Sequence, residues 1–373
     1  MHLATLNPVN AYRVPAGVYC LDNANAAESL ARSEATLNEA KLNLRPFRPD
    51  EDWNGRKVLF YRSGALGDLL FLTPTFREIK KRWANCKITV ACLKQNQAIL
   101  ENNPDIDRLV EYPMAVDDFT KFDAYFVISD TIHDGNPETW DKHAVDIILE
   151  MGGLESENKE LRYEISFDER RAAWARFPKG TRQRIGVQLM ASIGSRTWPK
   201  SHVAEFTKLA IKEGNFEVFW FGPPGCTGQA RQEPPPFLTA LDRCEPALSL
   251  RESIAVMSTC DAFLGPDSCL THVVGALSIP TIALYGSFAS ETRTKYAHSI
   301  KAIDGEPLRP GRGLQPCNPC RHSFRRFPFE VWPANGPCAQ TNRCEVLASI
   351  EPEAVLTKLK RHLRKYVHKN GVA

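Results

Sequence analysis

The sequence predicts an α/β protein made of two Rossmann-like domains, and three observations carry that expectation. From residue 57 onward, short apolar runs alternate with amphipathic stretches, the pattern of parallel strands covered by helices. The alternation comes as two series, one opening at Lys57 and the other at Arg184. The length, 373 residues, suits two or three domains with a core each, and 43% hydrophobic against 24% charged residues is the balance of a folded globular chain.

Residues 1–55 read as an N-terminal extension with no clear period except over Ala26 to Leu42, ending in the polar run Arg48-Pro49-Asp50-Glu51-Asp52. The first domain is expected over 56–175. Val58-Leu59-Phe60-Tyr61 reads as a buried parallel strand, followed by a glycine-containing turn and one helix from Leu69 to Trp83. Lys87 to Leu93 reads as a strand, Asn96 to Asn102 as a short helix, Arg108 to Tyr112 and Ala124 to Ser129 as strands, and Val145 to Met151 as a helix. The second domain, 176–350, starts with the strand Ile185 to Leu189, the helix Ser201 to Glu213 and the strand Glu217 to Phe221. The helices Arg251 to Ser258 and Leu270 to Leu277 then alternate with the strands Ala262 to Leu264 and Thr281 to Tyr285. Residues 351–373 form a C-terminal helix, with Leu356, Leu359 and Leu363 on one side and a solvated basic face on the other. In such doubly wound domains, ligands bind at the carboxyl ends of the strands and in the cleft between domains.

A formal net charge of +3 is too near neutral for a polyanionic partner, so no nucleic acid is expected. The longest apolar run, Val273 to Tyr285, is short and holds Pro280, so no membrane span is expected either. No basic n-region precedes an apolar stretch at the N-terminus, and the cytoplasm is the expected location. In that compartment thiols stay reduced, so the 11 cysteines are read as metal ligands or buried thiols and not as a disulfide framework.

Four places can carry chemistry. The turn Gly64-Ala65-Leu66-Gly67-Asp68 lacks the spaced glycines of a dinucleotide fingerprint, but it sets the Asp68 carboxylate at a helix N-terminus, either facing a ligand in the crevice or as a helix cap. The run Gly265-Pro266-Asp267-Ser268-Cys269-Leu270-Thr271-His272 joins a strand to a helix. Its small hydroxyl residues and unpaired amides make an anion site, with Asp267 as cap or sugar ligand and His272 as core residue or ligand contact. A Cys269–His272 nucleophile pair is a weaker alternative there. The loop Ala191 to Pro199 carries Arg196, whose planar fork suits a diphosphate if it is more than a solvated surface charge. Last, Cys317-Asn318-Pro319-Cys320, with Cys338 and Cys344, gives four thiols in a proline-rich segment that needs a staple, a set suited to a structural Zn or Fe with no open position, with buried free thiols or an oxidised pair as the alternative.

Val58 to Pro74, the RTWP loop and Gly265 to Ala276 together resemble glycosyltransferase family 9, the ADP-heptose heptosyltransferases, over roughly residues 56 to 360. The resemblance implies a GT-B fold, two Rossmann-like domains facing a cleft, with the acceptor on the first and the nucleotide-sugar on the second. It implies that Asp68 is the general base, with Gly64 and Gly67 in the acceptor-side loop. It implies that Arg196 stands where the family has lysine, and that Asp267, Ser268, Cys269, Leu270, Thr271 and His272 form the donor turn, Cys269 replacing the usual glycine. The cysteine segment resembles the iron finger of autotransporter heptosyltransferases, which implies Cys317, Cys320, Cys338 and Cys344 as ligands of Fe or Zn. The expected activity is inverting, metal-independent transfer of a sugar from a nucleotide-sugar donor, ADP-heptose by the resemblance, to a glycan or protein acceptor. A nucleotide-sugar epimerase and a non-catalytic binding scaffold are the alternatives, and a homo-oligomer stays open.

Overall fold

A computed structural model describes residues 2–5, 17–20, 45–62, 66–111, 114, 118, 121–127, 141–192, 194–222, 238–241, 246–286, 288–306 and 344–370. The chain divides into two compact units, Met1–Glu164 and Ile165–Ala373.

In the first unit, β1 (His2–Thr5) and β2 (Gly17–Cys20) form an antiparallel pair. The main sheet has five parallel strands in the order β3-β7-β4-β5-β6: β3 (Arg45–Pro46), β4 (Lys57–Tyr61), β5 (Lys87–Cys92), β6 (Arg108–Glu111) and β7 (Ala124–Val127). The central β4 is buried from Val58 to Tyr61, which is why it reads as a continuous apolar run and not as an alternating one. Phe60 packs edge-on against Phe76 and stacks on Phe126, each with ring centroids 4.9 Å apart. Residues 45–55 belong to this packing, because β3 extends the sheet and Trp53 is fully buried against Phe47.

The single helix expected over Leu69 to Trp83 is two, α1 (Leu66–Phe71) and α2 (Thr73–Arg82). Pro74 lacks the N–H that would continue the ladder and is accommodated in the first turn of a new helix. The Thr73 hydroxyl donates to Leu70 O (2.8 Å) and accepts from Arg162 N (2.9 Å), tying the joint to the end of the unit. The short helix expected at Asn96 is a 3-10 turn, Lys94–Ile99, and α3 spans Ala144–Met151.

In the second unit α4 (Phe167–Arg176) precedes six parallel strands ordered β10-β9-β8-β11-β12-β13. These are β8 (Gln183–Gln188), β9 (Phe216–Phe221), β10 (Leu238–Ala240), β11 (Ala262–Pro266), β12 (Thr281–Tyr285) and β13 (Ile300–Asp304). The helices are α5 (Lys200–Lys212), α6 (Leu250–Met257), α7 (Cys269–Ala276), α8 (Glu291–Thr294), α9 (Glu345–Ala348) and α10 (Pro352–Asn370). Strands β11 and β12 are buried at every position, as a central parallel strand covered on both faces must be. On one face Val203 and Phe206 of α5 and Val355, Leu359 and Leu363 of α10 close the core. Capping boxes start α4 (Ser166 with Glu169) and α6 (Ser249 with Glu252). No helix among the described residues is long and apolar enough to cross a membrane.

Candidate functional site

Each unit carries its own set of chemistry-bearing residues at the carboxyl ends of its strands, where doubly wound sheets bind ligands. In the first sheet the connection reverses beside β4, since β5 and β6 lie on one side of it and β7 on the other. Arg62 follows β4 directly and continues its pairing, Arg62 N donating to Ala91 O at 3.0 Å. Residues 63–65, Gly64 among them, lie outside the described set. Gly67 and Asp68 sit in the first turn of α1. The Asp68 carboxylate is half-buried and accepts a short hydrogen bond from Arg62 Nη2, and the guanidinium side chain is 1% exposed. Asp68 is therefore engaged by a neighbouring cation.

In the second unit the reversal falls between β8 and β11, and the residues singled out in the sequence gather there. Ser268 is the N-cap of α7 in extended conformation, but its side chain does not cap the helix. Its hydroxyl donates instead to Gln188 Oε1 at the end of β8 (2.6 Å), while Gln188 Nε2 donates to Met190 O (2.9 Å). The Thr271 hydroxyl donates back to Pro266 O (2.6 Å). The N-cap of α7 thus gives the helix no side-chain cap, and the N-terminal end of its dipole favours an anion there.

Asp267 caps nothing. It is buried between Arg196, Nη1 to Oδ2 3.5 Å, and His272, Nε2 to Oδ1 3.6 Å. Burial by itself would raise its carboxyl, but the neighbouring His272, Arg196 and Arg293 outweigh that and hold it well below the usual carboxylate range. His272 is 3% exposed, so it is at once a core residue and a member of the charged cluster. The loop that carries Arg196 is fixed from both ends: Ala191 N donates to Thr197 Oγ1 (3.1 Å), and the buried Trp198 donates through Nε1 to Ile350 O (3.1 Å). Arg196 Nη2 also reaches Ser192 Oγ at 3.3 Å. Cys269 is half-buried as the first residue of α7, and Leu270 beside it lines a cavity.

That cavity, about 210 Å3, opens at the ends of β8 and β9 between Phe221, Gly222, Leu241, Leu248, Met257 and Leu270. Its walls are apolar, with Gln188 among the few polar contributors, so it suits a flat, largely apolar ring system next to an anion turn.

Sequence reasoning missed several of these residues. Gln188 carried a local signal, as the polar residue ending a buried strand. Arg293 is 8% exposed on the short α8, with its guanidinium 4.3 Å from the centre of the Phe288 ring, and nothing in the sequence around it marks it. Tyr285 ends β12 fully buried, and its hydroxyl has no hydrogen-bond partner among the described residues. Burial and the Asp267 charge push that hydroxyl up. Of the cysteine set, Cys317, Cys320 and Cys338 lie outside the described residues. Cys344 is half-buried at the start of α9, and its Sγ packs against Gly286, which follows β12. Among the described residues no three His, Cys, Asp or Glu side chains gather as a metal site.

Residues 137–312 match the family model of glycosyltransferase family 9 (heptosyltransferase). Among curated proteins, lipopolysaccharide heptosyltransferase 2 of Salmonella typhimurium is 28% identical over 117 residues, 29% of this chain and 32% of that protein. The Escherichia coli protein of the same name is 29% identical over 131 residues, 33% of this chain and 36% of that one. The aligned stretches thus span about a third of the curated relatives' length. Among solved structures, E. coli ADP-heptose lps heptosyltransferase II superposes with a TM-score of 0.61 at 17% identity, covering 83% of this chain and 99% of that one. A family 9 glycosyltransferase from Veillonella parvula gives 0.61 at 17%, covering 85% and 99%. The iron-containing dodecameric glycosyltransferase TibC from enterotoxigenic E. coli gives 0.57 at 14%, covering 86% and 82%. Residues 137–312 are thus similar to glycosyltransferase family 9, and the two parallel sheets with these superpositions give the chain the GT-B fold of those solved structures.

Proposed function

We propose that the protein is an inverting glycosyltransferase that moves heptose from ADP-heptose to a hydroxyl of a glycan or protein acceptor. The observation that carries this reading is in the second unit: the turn into α7, with Arg196 beside it and no side-chain cap from Ser268, adjoins an apolar cavity of about 210 Å3. A nucleoside diphosphate has those two parts, a flat base and a charged diphosphate. Matches to lipopolysaccharide heptosyltransferases, and to TibC solved in complex with ADP-D-beta-D-heptose, support heptose as the sugar.

The chemistry is a single displacement. Asp68 takes the proton of the attacking hydroxyl, for which its carboxylate must come within about 2.6–3.2 Å of that oxygen in the reactive complex. The hydroxyl oxygen bonds to the anomeric carbon as the bond to the diphosphate oxygen breaks, and ADP leaves with the electron pair. Arg196 and the amides over residues 268–271 stabilise the charge that develops on the leaving diphosphate, so the reaction needs no divalent ion. Asp267 aims Arg196 and His272 at the site.

Cys317, Cys320, Cys338 and Cys344 would hold a structural Fe or Zn. Four thiolates suit either ion in tetrahedral geometry and leave no coordination position for substrate. The ion would cross-link the segment that ends at Cys344 on α9.

The test is a binding and transfer pair. ADP-heptose binding is measured calorimetrically, and transfer to core oligosaccharide or to protein is read by mass spectrometry, with anomeric configuration by NMR and a parallel run in EDTA. Asp68→Asn should bind ADP-heptose as the parent does and keep only a residual transfer rate, roughly 100- to 10,000-fold below the parent's. Wild-type transfer by Asp68→Asn, or no affinity of the parent for ADP-heptose, would overturn the reading. Conversion of the donor without an acceptor to an epimeric nucleotide-sugar would make the protein an epimerase instead.

A further inference from the structure

We propose that Arg62 is a positioning residue for the transfer reaction, fixing the Asp68 carboxylate in the orientation from which it takes the acceptor proton. The inference rests on Asp68 being the base. It starts from an asymmetry in the ion pair: the Arg62 side chain is 1% exposed and that of Asp68 16%. The guanidinium is therefore the immobile partner, set inside the unit, and the carboxylate is the partner that reaches solvent. Arg62 is immobile for a second reason, because its amide is bonded to Ala91 O and so belongs to the β4–β5 ladder. Asp68 lies on the first turn of α1, whose Leu69, Leu70 and Phe71 are buried. The end of β4 and the start of α1 are thus clamped together by this ion pair.

A carboxylate on its own turns easily about its last side-chain bond, since that torsion has broad, two-fold wells. With Oδ2 held by Arg62 Nη2, the rotor is restrained to one orientation. A general base gains much of its effect from such fixed geometry, and a displacement of about 1 Å costs on the order of 100-fold in rate. A staple for the turn alone would not need charge. An apolar pair would close it without taking a guanidinium out of water, and the ion pair makes sense where the carboxylate itself is used.

The experiment compares Arg62→Lys, Arg62→Met, Asp68→Asn and the double variant R62K/D68N, reading ADP release from ADP-heptose with a core-oligosaccharide acceptor, and ADP-heptose affinity by calorimetry. R62K keeps a charge in the pocket but offers a compact ammonium in place of the fork. It should fold, bind ADP-heptose within about twofold of the parent, and lose roughly tenfold in kcat with donor KM little changed. R62M should lose on the order of 100-fold, and the ordering parent, Lys, Met is the rescue that a merely structural role would not produce. On the D68N background R62K should change the residual rate by less than about twofold, because the residue acts through Asp68. Wild-type kcat in R62K beside a strongly impaired D68N would overturn this inference alone, as would an equal fold-loss from R62K with and without Asp68. Wild-type turnover in D68N would remove the base assignment, and this inference with it.

Discussion

Gly265→Ala probes the proposed donor turn with one added atom. A Cβ built on Gly265 lies 2.3 Å from Thr271 Oγ1 and 3.1 Å from Cε1 of Phe263, both in the fully buried end of β11 and start of α7. The Thr271 contact is about 1 Å inside ordinary van der Waals distance. Thr271 must move, and moving it breaks the 2.6 Å hydrogen bond from its hydroxyl to Pro266 O. An orphaned buried hydroxyl costs about 1–3 kcal/mol and the overpacking about 1–3 kcal/mol more, so about 4 kcal/mol is expected. For a unit of this size that lowers Tm by roughly 10 °C. The displaced turn carries Ser268, so ADP affinity should fall by about tenfold, the equivalent of about 1.4 kcal/mol. Calorimetric unfolding and ADP titration read both effects. Thr271→Ala removes the obstructing oxygen, so G265A/T271A should be no worse than T271A, a large departure from additivity. A G265A protein with parental Tm and ADP affinity would refute the crowding argument, and strict additivity of the two substitutions would refute its cause.

Four further outcomes are expected. The hydrogen bond from Arg251 holds the Glu169 carboxyl at about 2, down from 4.5, so the stability it contributes is complete above pH 4.5 and is lost as pH falls toward 2; Glu169→Gln should cost about 2–3 kcal/mol at pH 7 and almost nothing at pH 2, by denaturant unfolding across pH. Arg184 is fully buried against Glu217, Thr259 and the Phe219 ring, and Arg184→Met should lower unfolding free energy by about 3–5 kcal/mol because Glu217 loses its partner. Burial pushes the Cys86 and Cys92 thiols up to about 11 and that of Cys260 higher still, so iodoacetamide at pH 8 should label Cys269 ahead of these three, and ADP should slow that labelling, by peptide mass spectrometry. Elemental analysis of protein kept reduced should find near one Fe or Zn per chain, lost in C317S/C320S; neither metal in the parent would dismiss the finger.

Much of the fold was legible along the chain. Strands β4, β5, β8, β9, β11 and β12 were marked by apolar runs, since a parallel strand covered on both faces has no polar side to hide. Where the reading failed, the local signal was weak or overruled. Pro74 lies inside an unbroken amphipathic period, which hid the break between α1 and α2. Helix α4 buries only Ala173, so it shows no apolar stripe, although its Ser166–Glu169 capping box was there to be read. The N-terminal polar run concealed Trp53, a core residue without periodic neighbours.

By itself the sequence determined the strands, the glycine-containing turns that end them, and which turns carry a carboxylate or a row of small hydroxyls, because these depend on residues within a few positions of one another. Only the tertiary structure decided what each group meets. Ser268 finds Gln188 from 80 positions away and Asp267 finds Arg196 from 71 away. Arg62, near Asp68 in sequence, becomes a buried clamp only because β4 lies at the centre of its sheet. Charge, desolvation and hydrogen bonding act through space and fall off within ångströms, so the partners of a functional group are set by which strand ends the topology brings side by side.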